Sequence, residues 1–105
     1  GPLNPADRAL MPEWQLNPLL RLTWRDWGGD SVVFDATSGQ THQFDRLTAA
    51  VAACIAEAPR STRSLCDQFA AEAGLEHPEQ LLQAIDQVVD RLHLLGWVRP
   101  LATAS

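Results

Sequence analysis

Between residues 32 and 58 the hydrophobic pattern changes period, and this change restricts the fold more than any other feature of the chain. "VVFDATSGQTHQF" holds two β-rich runs around a glycine-bearing turn. "DRLTAAVAACIAEA" follows without a linker and puts Leu47, Val51, Cys54, Ile55 and Ala58 on one helical face. A hairpin that runs straight into an amphipathic helix has to bury both elements against a shared core. A chain of 105 residues has room for one such core.

The flanking segments extend this pattern. Leu20, Leu22 and Trp24 alternate with Arg21, Thr23 and Arg25, which predicts a half-buried strand ending near Trp24. "DWGGD" turns the chain into a second strand, Ser31 to Asp35; "ATSG" turns it again into a third, Gln40 to Phe44. Asp45 is placed to cap the helix that follows, and Pro59 to stop it. Ser61 or Thr62 starts a second helix with Leu65, Phe69 and Ala73 inward and Gly74 as its cap. Pro78 falls in the first turn of a third helix. Its stripe of Leu81, Leu82, Ile85, Val88, Val89, Leu92 and Leu95 runs to Gly96. "WVRPL" then adds a short strand or folds Trp97 over the core. The expected architecture is α+β and winged-helix-like, a three-stranded antiparallel sheet followed by three helices, forming a single domain over residues 11–101. Residues 1–10 read as an expression remnant or disordered, with Met11 as the native start, and residues 102–105 as a frayed tail.

Composition excludes several functions. No run approaches eighteen apolar residues and no charged-then-apolar leader is present, so neither a membrane span nor a secretory signal is expected and the chain reads as cytoplasmic. Cys54 and Cys66 lack CxxC spacing and read as reduced, packed thiols. His42, His77 and His93 are scattered without the partners that nucleophilic or metal chemistry needs. Asp86 and Asp90 share a helical face, as solvated surface acids ordinarily do. No enzyme activity, cofactor or metal is expected. Nucleic acid is disfavoured as well: the net charge is −5, the chain contains no lysine, and residues 76–95 carry Glu76, Glu79, Asp86 and Asp90 against Arg91 alone.

The third strand raises a different prospect. A sheet edge normally carries Lys, Pro or a bulge to discourage pairing, and "QTHQF" has none of these. Either the arm "MPEWQLNP" or the terminal "WVRPL" covers this edge, or another chain docks there as an added strand. Here "VVFDATSGQTHQFDRLTAAVAACI", two more helices and "LHLLGWV" resemble the PqqD-like proteins that act as recognition elements for ribosomally synthesised, modified peptides. The resemblance, over residues 14–98, is especially to the branch of HPr-rel-A system PqqD family peptide chaperones. It rests mainly on "SGQTH" and the helix starting right after "QFD"; the Trp-rich front, Trp14, Trp24 and Trp27, departs from it. The resemblance implies noncatalytic capture of a precursor leader peptide, presentation to a modifying enzyme, and an enzyme related to HPr kinase as that partner.

The groove so implied lies between the third strand and the third helix. On the strand it takes Gln40, Thr41, His42, Gln43 and Phe44, with Thr41 and Gln43 on one sheet face and His42 and Phe44 on the other. Phe44 reads first as core. On the helix one flank presents Leu82, Asp86, Val89 and His93, rimmed by Gln83 and Asp90; the other presents Ala84, Arg91 and Leu95. Periodicity does not separate the flanks, and the first is taken because it joins apolar positions to an anion. Backbone pairing at about 0.5–1.5 kcal/mol per bond is largely offset by about 1–2 kcal/mol per residue ordered, so buried leader side chains have to supply the affinity. A leader with a few apolar anchors and a basic residue facing Asp86 or Asp90 is the expectation. Trp27, beside the glycine turn, is expected to be exposed. The rival readings are a winged-helix DNA-binding regulator and a structural homodimer pairing two third strands.

Overall fold

The computed structural model describes residues 12–101, apart from the Trp27 side chain. The readings of residues 1–10, of Met11, of the tail and of Trp27 exposure lie outside the described residues. Nine elements follow in order: β1 (Glu13–Leu16), β2 (Leu22–Trp27), β3 (Asp30–Asp35), β4 (Gln40–Phe44), α1 (Arg46–Glu57), β5 (Arg60–Ser61), α2 (Thr62–Ala73), α3 (Glu79–Leu94) and β6 (Val98–Pro100). The fold is α+β: three helices and two antiparallel three-stranded sheets, ordered β2-β3-β4 and β5-β1-β6.

The meander has the expected topology, and β2 runs on past Trp24 to Trp27. Gly28 and Gly29, with φ of 61° and 98°, make the two-residue turn between paired Trp27 and Asp30. Positive φ at both central positions matches the twist of the flanking strands and is open to glycine at little steric cost. The second turn is held from Asp35, which is only 3% exposed. Its Oδ1 accepts from the N–H groups of Arg21 at 3.2 Å and Thr37 at 3.0 Å, and its Oδ2 accepts from the Ser38 hydroxyl at 2.9 Å. Burial pushes this carboxyl up, but the N–H groups of Arg21, Thr37 and Ser38 and the Ser38 hydroxyl outweigh it, so it sits below its ordinary 3.8. A pKa depressed by folding contributes stability above the unfolded value, and that contribution is lost as pH falls through the folded value. Urea midpoints should therefore drop on acidification below about pH 4, and Asp35→Asn should flatten that part of the curve. Parallel pH profiles for the two proteins would refute the assignment.

Helix ends follow their local signals. Asp45 accepts from Thr48 N–H at 2.8 Å to cap α1, and Ser61 accepts from Ser64 N–H at 3.0 Å to cap α2. Pro78 lies just outside α3, at its N-cap, rather than in its first turn. Val33, Phe44, Val51, Leu65, Ile85 and Leu92 are all fully buried and join sheet and helices in one core. Trp97 is 2% exposed and Val98 opens β6, so "WVRPL" both adds a strand and folds its tryptophan inward. Cys54 and Cys66 are free thiols.

The second sheet is the departure from expectation. The arm β1 pairs with β6 through Trp14↔Pro100, Gln15↔Arg99 and Leu16↔Val98, and with β5 through Glu13↔Ser61 and Trp14↔Arg60. Bonds from Asn17 N–H to Trp97 O at 2.8 Å and from Leu101 N–H to Glu13 O at 2.7 Å close its two ends. Pro100 is tolerated because β6 is an edge strand. Among the described residues, then, the terminal segments pair with each other and leave β4 alone.

Candidate functional site

β4 is an edge strand, and among the described residues no strand pairs with its outer side. Its register against β3 (Val33↔His42, Phe34↔Thr41, Ser31↔Phe44) turns His42 and Phe44 inward and Thr41 and Gln43 outward, as the period-two reading requires. Gln40, Thr41 and Gln43 are exposed. The Gln43 amide donates to Asp30 Oδ2 at 3.1 Å, which ties the strand to the first turn. Gln40 N–H donates to the Ser38 hydroxyl at 3.2 Å.

The inward residues rest on an aromatic cluster. Phe44 is fully buried, and its ring centroid lies 5.0 Å from Trp97 and 6.4 Å from Trp24. His42 is half-buried, stacked on Phe44 at 5.9 Å and edge-on to Trp97 at 5.3 Å. Trp24, at 38% exposed, forms the outer wall of the cluster. Such edge-to-face packing of several rings is worth more than the area it buries and makes a rigid platform. Phe44 is therefore core, as first read, and its ring is closed to a guest side chain.

Across from Phe44 stands the other flank of α3. The Arg91 guanidinium carbon sits 5.7 Å from the Phe44 ring centroid, a cation–π contact that shows which side of the helix faces β4. Leu95 is one turn beyond Arg91 on the same face and is 41% exposed; Leu94 beside it is 89% exposed.

This arrangement corrects the choice of flank. Leu82, Gln83, Asp86 and His93 meet the arm rather than β4, and Val89 lies in the core that also holds Phe44. His93 packs against Trp14 of β1 at 5.0 Å. Leu82, Gln83 and Asp86 line a separate cleft of about 450 Å³ together with Pro12 and Trp14 of the arm and Ser61, Thr62 and Arg63 where α2 begins. Val89 is 1% exposed in the core, and Asp90 is an exposed residue next to Arg91 in sequence. The arm stands on that side: Trp14 of β1 meets His93, and Pro12, Trp14 and Ser61 share the cleft with Leu82 and Asp86, whereas Arg91 meets Phe44 from the opposite flank. Arg91, Leu95 and Trp97 are the residues that the flank choice left out; the helical stripe placed the first two on the alternative flank.

The described residues contain no group of three or more His, Cys, Asp or Glu side chains able to hold a metal, and no helix long and apolar enough to cross a membrane. Comparisons with protein-family models, with curated proteins and with solved structures find no match to this chain.

Proposed function

We propose that this chain is a noncatalytic, cytoplasmic peptide-capture domain that binds the leader segment of a ribosomally made precursor as a strand added to β4 and presents it to a modifying enzyme. The observation that carries the reading is the open outer side of β4 beside the Arg91–Leu95 flank of α3, with the terminal segments engaged elsewhere. An added strand gains backbone bonds for register and meets side chains from the neighbouring helix that distinguish one sequence from another. The resemblance of "SGQTHQFD" and the following helices to PqqD-like recognition elements agrees with this. The enzyme served would then be the one encoded beside the precursor, an HPr-kinase-related protein by that resemblance.

Two or three buried leader side chains at about 1.5–3 kcal/mol each would bring affinity into the micromolar range, about 8 kcal/mol. The test is amide exchange on labelled protein titrated with leader peptides from short reading frames neighbouring its gene. Amides of β4 should gain protection while those of β1 and β6 stay unchanged. Protection of β1, β6 or the Trp14 cleft instead would move the site to the other flank of α3. Protection of β4 that rises with protein concentration and needs no peptide would replace the reading with a homodimer joined through that strand.

A further inference from the structure

Arg91 is held ready for an anion. Its guanidinium carbon lies over the buried Phe44 ring, 5.7 Å from the centroid, and a guanidinium can meet a ring and a carboxylate through different parts of the group. The ion pair found among the described residues is Arg60–Glu57, and Arg91 takes no part in it. We infer that the β4 edge selects acidic strands: extended peptides with Asp or Glu against Arg91 and, two positions along the same face, an apolar residue against Leu95. This rests on the reading of β4 as the docking edge and states which peptides it takes.

The spacing agrees with that pattern. Arg91 and Leu95 are four residues apart, about 6 Å of helix rise, and alternate residues of a strand are about 6.6 Å apart on one face. A guest running along the helix therefore offers one side chain to each. Its intervening residue points to the side of Thr41 and Gln43, both exposed and polar, so that position accepts polar side chains.

Two effects oppose an acidic guest, and both are limited. The chain as a whole is acidic, with net charge −5, but charges beyond about 8 Å are screened at physiological ionic strength. The end of α3 presents carbonyls, which repel anions, yet the N–H groups of Leu95, Gly96 and Trp97 occupy the carbonyls of Arg91, His93 and Leu92. The nearer competitor is Asp45. Its carboxyl lies below its ordinary value chiefly through the Thr48 hydroxyl and N–H, with Arg91 as a lesser influence. Arg91 thus already feels one carboxylate without being paired to it.

The test uses synthetic, end-blocked decapeptides with a central Glu-Thr-Leu and the same peptides with Gln or Lys for Glu, titrated into the full chain. A charge-assisted contact at a half-open rim should make the Glu peptide bind roughly five- to tenfold tighter than the Gln peptide, with the Lys peptide weaker still. Arg91→Gln should bring the Glu/Gln ratio close to one, Arg91→Lys should keep part of it, and Asp45→Asn, which retains a capping side chain, should widen it. A ratio near one in the unmodified protein, or a preference that survives Arg91→Gln, overturns the acidic selectivity. If all three peptides protect β4 amides equally, the selectivity fails and the docking edge stands. If none protects β4, both fail.

Discussion

Replacing Trp97 by alanine should lower unfolding free energy by about 3–5 kcal/mol, the range for emptying a large aromatic site in a core. The ring is 2% exposed and touches Trp24 of β2 and His42 and Phe44 of β4, and the residue after it starts β6. It is the side chain that binds the two sheets together. A chain of this size has a total stability toward the low end of about 5–15 kcal/mol, so the variant should be partly unfolded at physiological temperature. Urea denaturation read by far-UV circular dichroism measures the loss. A midpoint near that of the unmodified protein would mean the surrounding rings close over the gap. The effect should combine with Phe44→Ala to less than the sum of the two, because both remove the same ring-to-ring contact.

The contrast between what local sequence signals and what long-range pairing decides is plain in this cluster. The meander and the three helices were legible because each boundary carries its own chemistry: Gly28–Gly29 in the first turn, Asp45 and Ser61 as caps, Pro59 after α1 and Gly74 after α2. The second sheet was not. Glu13–Leu16 is a four-residue strand between prolines whose partners are the two-residue β5 and, more than eighty residues away, the three-residue β6, and none of these segments has a period long enough to read alone. That omission is also what left the flank of α3 open. A helical stripe has two equivalent edges, and the difference here is that Trp14 of β1 adjoins one of them, meeting His93, while Arg91 over Phe44 meets β4 on the other. Without the arm in view, pairing apolar positions with an anion favoured Asp86, and the structure sets Asp86 in the cleft on the far side. The strand half of the site, Gln40 to Phe44, was readable from its alternation because the period of two fixes both faces once the turn at Gly39 is known.

Val89→Glu should abolish folding. Val89 is 1% exposed and belongs to the same cluster as Ile85 and Leu92. The substitution forfeits about 1.5–3 kcal/mol of buried apolar side chain and leaves a carboxylate with no partner in the interior, a further loss of about 3–5 kcal/mol unless it takes up a proton. Together these approach the whole stability expected of the domain. Circular dichroism and amide proton dispersion should show a chain without cooperative unfolding, with or without peptide. A native spectrum with an unchanged midpoint would place position 89 at a surface and restore the Leu82–His93 flank as a groove wall. Asp86→Lys is the matching control on that flank: the side chain is exposed, so the substitution should alter stability by no more than about 0.5 kcal/mol. If β4 and Arg91 form the docking edge, it should also leave peptide affinity unchanged, because the cleft it lines lies on the side of α3 facing β1.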